Sequence, residues 1–80
     1  MGLRMDANIL KMVKLHITYP EPIDGIWGES VWATPLKNGT YRLENEPLIE
    51  GLYYRDIVKA FYDEGVLEFE SFVMRDAGSN

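Results

Sequence analysis

The chain has 80 residues, with 13 acidic against 8 basic side chains and a formal net charge of −5, which limits it to one small acidic domain. It has no cysteine, which excludes disulfides, thiolate catalysis and cysteine-ligated zinc. The negative balance argues against a fold-wide basic face for duplex DNA, because lysine and arginine drive phosphate binding. No apolar run approaches the ~20 residues of a membrane helix, so we expect no membrane contact. With no cysteine and no signal-peptide pattern, we expect a cytoplasmic protein.

The first predicted strand covers residues 10–18, where apolar and polar residues alternate with a period of two. Its polar face carries His16, the lone histidine, which we interpret as an exposed strand residue rather than a general base or a zinc ligand. We expect Pro20 and Pro22 to end this strand, since proline cannot donate to a β-ladder. Residues 23–28 are then predicted to form a loop.

A hairpin is predicted from strands over residues 29–36 and 40–46, because Asn38 and Gly39 between them favour a tight turn. A two-residue turn gives the register that best gathers the apolar residues on one face, although it places Pro35 where the ladder needs an N–H. A longer loop with a bulge at Gly39 spares that proline. The two-residue register puts four apolar residues on one face, namely Trp32, Leu36, Tyr41 and Leu43.

Residues 57–62 are predicted to form a strand because they are rich in β-prone side chains. The alternative is a short helix near residues 54–62, capped by Asp56, which we otherwise interpret as a turn or cap residue. Residues 63–65 then form a turn, and the last strand covers residues 66–74, with one flank expected to stay an open edge. The predicted class is therefore mainly β: a small antiparallel five-stranded sheet or half-open barrel, with α+β as the alternative.

The termini have no comparable pattern. We expect a flexible start over residues 1–8, a single β domain over residues 9–74 and a flexible polar tail over residues 75–80.

Two spaced motifs resemble a known family. Residues 32–47 follow the pattern W-x-x-P-L-x-x-G-x-Y-R-L-x-N-x-P, and residues 51–58 follow G-L-x-x-x-D-[IV]-V. Together they resemble the N-terminal half of a bacterial domain family of unknown function, over roughly residues 30–73. Members of that family continue well past this point. The resemblance implies a β-rich fold and no reaction, cofactor or substrate.

Two pairs of glutamates are the strongest catalytic candidates. Glu44 and Glu46, like Glu68 and Glu70, are spaced so that a strand places both carboxylates on one face, about 7 Å apart. Paired acids at such a distance serve glycosidases. We interpret them instead as solvated strand faces, because a small sheet offers no deep cleft to shift a pKa. Asn45, at a strand end, is expected to bond to its own backbone.

The aromatic residues are the most suggestive feature for function. Trp27, Tyr53 and Tyr54 fall in predicted loops, and Arg55 follows directly. Exposed tyrosine, tryptophan and arginine are typical of protein-binding hot spots, so these four residues are the predicted binding site. They could also stack single-stranded bases, but the negative charge disfavours nucleic acid. The competing structural interpretation is that these aromatics fold back over a small core.

The sequence therefore predicts a non-enzymatic protein-binding or regulatory module, or a piece of a larger fold, without cofactor or metal. The predicted partner is another protein, or a second copy paired through the last strand. An enzyme fragment, such as a hydrolase using clustered carboxylates, and a single-stranded nucleic-acid binder are the alternatives.

Overall fold

The structure is a computed structural model that describes residues 11–76. Its five β-strands form a closed barrel. The strands are β1 (Val13–Ile23), β2 (Ile26–Pro35), β3 (Thr40–Leu43), β4 (Ile57–Asp63) and β5 (Val66–Met74). Consecutive strands pair antiparallel, and β5 returns to pair parallel with β1. The predicted mainly β class is confirmed, and the stretch that was ambiguous between strand and helix is the strand β4.

The predicted flexible start over residues 1–8 lies outside the described residues. So does the part of the predicted tail that follows Asp76.

The core is built from the inward faces of the strands and from the connection between β3 and β4. Successive side chains of a strand point to opposite faces, so the period-two pattern of β1 sends Leu15 and Ile17 inward. Each large side chain removed from water contributes roughly 1.5–3 kcal/mol. The buried apolar set is Leu15, Ile17, Tyr19, Val31, Ala33, Leu43, Leu52, Val58 and Leu67.

The β1–β2 hairpin is longer than the sequence predicts. β1 continues through Pro20 and Pro22 to Ile23, and a tight turn at Asp24 and Gly25 starts β2 at once. The prediction of a strand end at the prolines and of a loop over residues 23–28 is therefore wrong. The register of β1 against β2 shifts within the stretch that contains both prolines, where a missing N–H costs no ladder bond.

The β2–β3 hairpin turns at the predicted dipeptide. Asn38 and Gly39 have φ values of +60° and +73°, which confirms the tight turn. The register, however, pairs Ala33 with Leu43 and buries both of them. Trp32 lies on the outer face and is 46% exposed, so its predicted place on one face with Leu43 is wrong. The closed core selects this register, since a shift by one residue exchanges the two faces.

The β4–β5 hairpin turns at Glu64 and Gly65, as predicted, and β5 has the predicted bounds. Its register against β4 is irregular, and Glu70 falls between paired positions. β5 closes the barrel where Glu68 pairs with His16 of β1. The sequence predicted that one flank of the last strand stays an open edge. That prediction is wrong where β5 pairs with β1.

Candidate binding surface

The connection between β3 and β4, here called the β3–β4 loop (residues 44–56), is irregular in conformation but closely held. Side-chain carboxylates accept hydrogen bonds from its backbone at several points. Glu46 Oε1 accepts from the Tyr54 N–H at 3.0 Å, and Asp56 Oδ2 accepts from the Tyr53 N–H at 2.8 Å. These bonds occupy backbone donors that no strand partner satisfies, so the loop has one defined path.

Glu29 of β2 holds the first half of the loop. Its Oε2 accepts from the Leu48 N–H at 2.7 Å, from the Ile49 N–H at 3.3 Å and from the Tyr19 hydroxyl at 2.8 Å. Burial, and then the hydrogen bond to Glu29 with its negative charge, raise the pKa of Tyr19 above its ordinary value. The neutral phenol therefore stays a donor, and the loop is tied to the β1–β2 hairpin.

Asp56 and Arg75 hold the second half of the loop. The Asp56 carboxylate is buried and accepts from Arg75 Nε at 2.9 Å and Nη2 at 3.1 Å, a two-point contact. These bonds raise the pKa of Arg75 above its ordinary value. The same guanidinium lies over the rings of Tyr53, at 4.7 Å, and Phe72, at 5.2 Å. Arg75 also donates to the Gly51 carbonyl at 3.2 Å.

Arg75 was expected to begin the polar tail, yet it joins the end of β5 to the loop. Asp76 is held as well, because its carboxylate accepts from Arg55 Nη2 at 3.0 Å. The interpretation of Asp56 as a turn or cap residue is confirmed by its bond to the Tyr53 N–H. The sequence showed neither its burial nor its arginine partner.

Three of the four predicted binding residues are consecutive in this held loop. Tyr53 is 49% exposed and Tyr54 is 52% exposed, while Arg55 is partly buried. Leu48, which the sequence did not single out, is 70% exposed in the same loop. The sequence feature that could have identified Leu48 is its position as an apolar residue directly after Pro47 in a predicted connection.

Arg55 adopts a backbone conformation that favours glycine. Its φ is +75°, and it occupies the third position of a turn closed by the Asp56 N–H and the Tyr53 carbonyl at 3.0 Å. A non-glycine residue there costs about 1–2 kcal/mol. Its Nε is buried and, within residues 11–76, has no hydrogen-bond partner. Strained residues of this kind concentrate at functional sites.

Trp27, the fourth predicted residue, lies in β2 rather than in a loop, so that part of the prediction is wrong. It follows the Asp24–Gly25 turn closely and is 62% exposed. Its position in the strand shares the alternation of Glu29 and Val31, yet its side chain is largely exposed.

The carboxylate pairs do not converge on a common site. Glu44 Oε2 accepts from the Thr34 hydroxyl at 2.6 Å and from Arg42 Nε at 3.0 Å, whereas Glu46 bonds to the loop backbone. Glu70 falls at the irregular position of the β4–β5 register, whereas Glu68 pairs with Phe61 of β4 and with His16 of β1. Each carboxylate of the first pair therefore has a separate structural partner.

His16 lies on the outer face, as predicted, at the closure of the barrel. Its Nδ1 is 3.2 Å from both carboxylate oxygens of Glu68, and the Thr18 hydroxyl donates to Glu68 Oε1 at 3.3 Å. Across residues 11–76, no group of three or more histidine, aspartate or glutamate side chains is arranged to hold a metal ion. The contact joins β1 to β5 at the closure of the barrel.

Asn45 contacts a neighbouring strand rather than its own backbone. Its Oδ1 accepts from the Trp32 N–H at 2.7 Å, and the Glu44 N–H donates to the Trp32 carbonyl at 2.8 Å. The expected bond of Asn45 to its own backbone is therefore wrong. β2 extends past the end of β3 at Leu43, so the Trp32 N–H has no partner in β3 and bonds to Asn45 instead.

No family model, curated protein or solved structure matches this chain. Over the described part of the chain, no helix has the length and apolar character needed to cross a bilayer.

Proposed function

We propose that this protein is a non-enzymatic, cytoplasmic protein-binding domain whose contact surface is the outer side of the β3–β4 loop. The surface comprises Leu48, Tyr53, Tyr54 and Arg55. One observation carries the proposal: buried or partly buried carboxylates hold the loop backbone, while the large apolar and aromatic side chains of Leu48, Tyr53 and Tyr54 remain largely exposed.

This arrangement favours binding for two reasons. Ordering a loop on association costs free energy, and a loop already held by Glu29 and Asp56 avoids much of that cost. Tyrosine and arginine are also the residues that contribute most to protein interfaces, since they combine apolar area with hydrogen-bonding groups. The strained Arg55 adds support, because glycine would relieve its backbone at no steric cost.

The family resemblance is part of the proposal, and with it a bacterial origin. The residues that carry it include several that shape the loop: Asn45 bonds to Trp32, Pro47 and Leu52 are buried, and Asp56 binds Arg75. We infer that the two motifs describe this held loop rather than a set of reacting groups.

Quantitative affinity capture from a bacterial lysate tests the function. Tyr54→Ala and Arg55→Gly remove side chains from the surface, and Tyr62→Ala removes a tyrosine that is 63% exposed on β4. We expect one or more proteins to be captured by the wild type and the Tyr62 variant, and to be lost with either loop variant. Each loop substitution should weaken binding by about 1–2 kcal/mol.

The free energy of unfolding of each variant, measured by urea denaturation, is the control. If the loop variants unfold, these side chains stabilise the fold rather than form a binding surface. Identical capture by all four proteins would refute the proposed surface.

A further inference from the structure

A groove lies where the β1–β2 hairpin meets the β3–β4 loop. It has a volume of about 420 Å³, within the range of known ligand sites. Its lining residues are Pro20, Glu21, Ile23, Leu48, Ile49 and Glu50.

One wall of this groove is rigid and apolar. The backbone N–H groups of Leu48 and Ile49 are both bonded to Glu29, so the wall is fixed before any ligand arrives. Ile23 and Ile49 pack against the core, while the Leu48 side chain remains mostly in solvent. Ile23, Leu48 and Ile49 together form the apolar floor of the groove, which therefore suits an apolar side chain.

The rim of the groove is acidic. Glu21 belongs to β1 and Glu50 to the loop, so a carboxylate comes from each wall, and both residues are exposed. None of the ion pairs within residues 11–76 uses either carboxylate. Asp24, at the adjoining hairpin turn, adds a third negative charge to the hairpin.

We propose that the groove binds a peptide segment of a protein partner in which apolar side chains are flanked by arginine or lysine. This inference rests on the proposed function, because it identifies the chemistry of the partner that the β3–β4 loop recognises. The apolar residues occupy the floor, and the cations meet Glu21 and Glu50. A phosphate backbone would meet the same carboxylates with like charge, and so would a second copy of this chain, whose net charge is −5.

Fluorescence polarisation with two labelled, acetylated peptides tests the proposal. Both peptides have a central Leu-Val pair, flanked by arginines in one and by glutamates in the other. We expect the arginine peptide to bind at least about tenfold more tightly than the glutamate peptide, with affinity falling as salt rises and screens the charges. Equal binding of the two peptides, or no binding of either, would overturn the proposal.

Two charge-matched double variants locate the contact. Glu21→Gln with Glu50→Gln neutralises the rim, whereas Glu64→Gln with Glu70→Gln changes the net charge equally at the β4–β5 hairpin. The rim variant should lose about fivefold or more in affinity, and the control should stay within about twofold. An equal loss in both would mean that the peptide responds only to overall charge, which would refute the groove.

Leu48→Ser tests the apolar contact, and because Leu48 is so exposed this variant should keep the stability of the wild type. Its peptide affinity should fall several-fold, and unchanged affinity would contradict the proposal.

The peptide and capture experiments can fail independently. If the peptides do not bind but Tyr54→Ala still loses its captured protein, only the groove is wrong. If the peptides bind but capture is insensitive to Tyr54, the loop surface of the proposed function is wrong.

Discussion

The buried carboxylate of Asp56 offers the sharpest test of how this fold is held together. Two aspartate–arginine ion pairs lie side by side at the end of the barrel. Asp56 bonds to Arg75 at 2.9 Å with 1% of its side chain exposed, and Asp76 bonds to Arg55 at 3.0 Å with 29% exposed. The distances are nearly equal, but Asp56 is the more deeply buried carboxylate. Within residues 11–76 it also accepts three hydrogen bonds, whereas Asp76 accepts one.

Asp56→Ala should destabilise the protein by about 2–3 kcal/mol. The substitution removes the acceptor of the Tyr53 N–H, which is worth about 1 kcal/mol, and the bonds to a charged guanidinium, worth about 1.5–3 kcal/mol. Arg75 is 49% exposed and recovers part of its hydration, which keeps the total toward the lower end. A chain of 80 residues has roughly 4–12 kcal/mol of stability in all.

The assay is urea denaturation followed by tryptophan fluorescence, with Asp76→Ala as the matched control. Asp76→Ala should cost only about 0–1 kcal/mol, because a partly exposed pair is screened by water. Asp56→Asn keeps an oxygen for the Tyr53 N–H but loses the charge, so its loss should fall between the two, at about 1–2 kcal/mol. Equal losses for the two alanine variants, or a loss below ~0.5 kcal/mol for Asp56→Ala, would refute the reasoning from burial.

Three further predictions concern the backbone and the pH dependence of stability. Gly39→Val should cost about 1–2 kcal/mol, because φ is +73° there, and an unchanged urea midpoint would contradict it. Gly28→Ala should cost about 1–3 kcal/mol, because its Cβ would lie 2.8 Å from the Ile17 carbonyl oxygen, and a stable variant would show that the strand relaxes freely. The raised pKa of Tyr19 contributes stability that is complete below pH 10 and is lost as pH rises further through the folded-state pKa. Urea titrations at alkaline pH should therefore show a shallower loss for Tyr19→Phe than for the wild type, and parallel losses would argue against this contribution.

Much of the architecture is encoded locally. The alternation of β1 and β5 and the positive φ of Asn38 and Gly39 involve only near neighbours in the chain, which is why the sequence predicts those strands and that turn. Asp24 and Gly25 are the same kind of turn signal, but Pro20 and Pro22 just before them led to the prediction of a strand end and a loop.

The candidate surface was only partly predictable. Tyr53 and Tyr54 could be placed in a connection by their position between two predicted strands. What holds that connection depends on Glu29 in β2 and on Arg75 just after β5. Both lie 19 residues or more away from the loop groups they bind, and no local pattern identifies them. Trp27 was misplaced because its strand was predicted to begin too late.

By itself, the sequence determined the number of strands, most of their positions, the two later hairpin turns and the acidic charge, because each depends on residues a few positions apart. The tertiary structure alone decided the register of β2 on β3, the closure at His16 and Glu68, and the burial of Asp56. The His16–Glu68 contact spans 52 residues along the chain, and the Asp56–Arg75 contact spans 19. Such pairings depend on how the strands assemble, since burying the apolar faces together selects one register and desolvates the groups trapped at its ends.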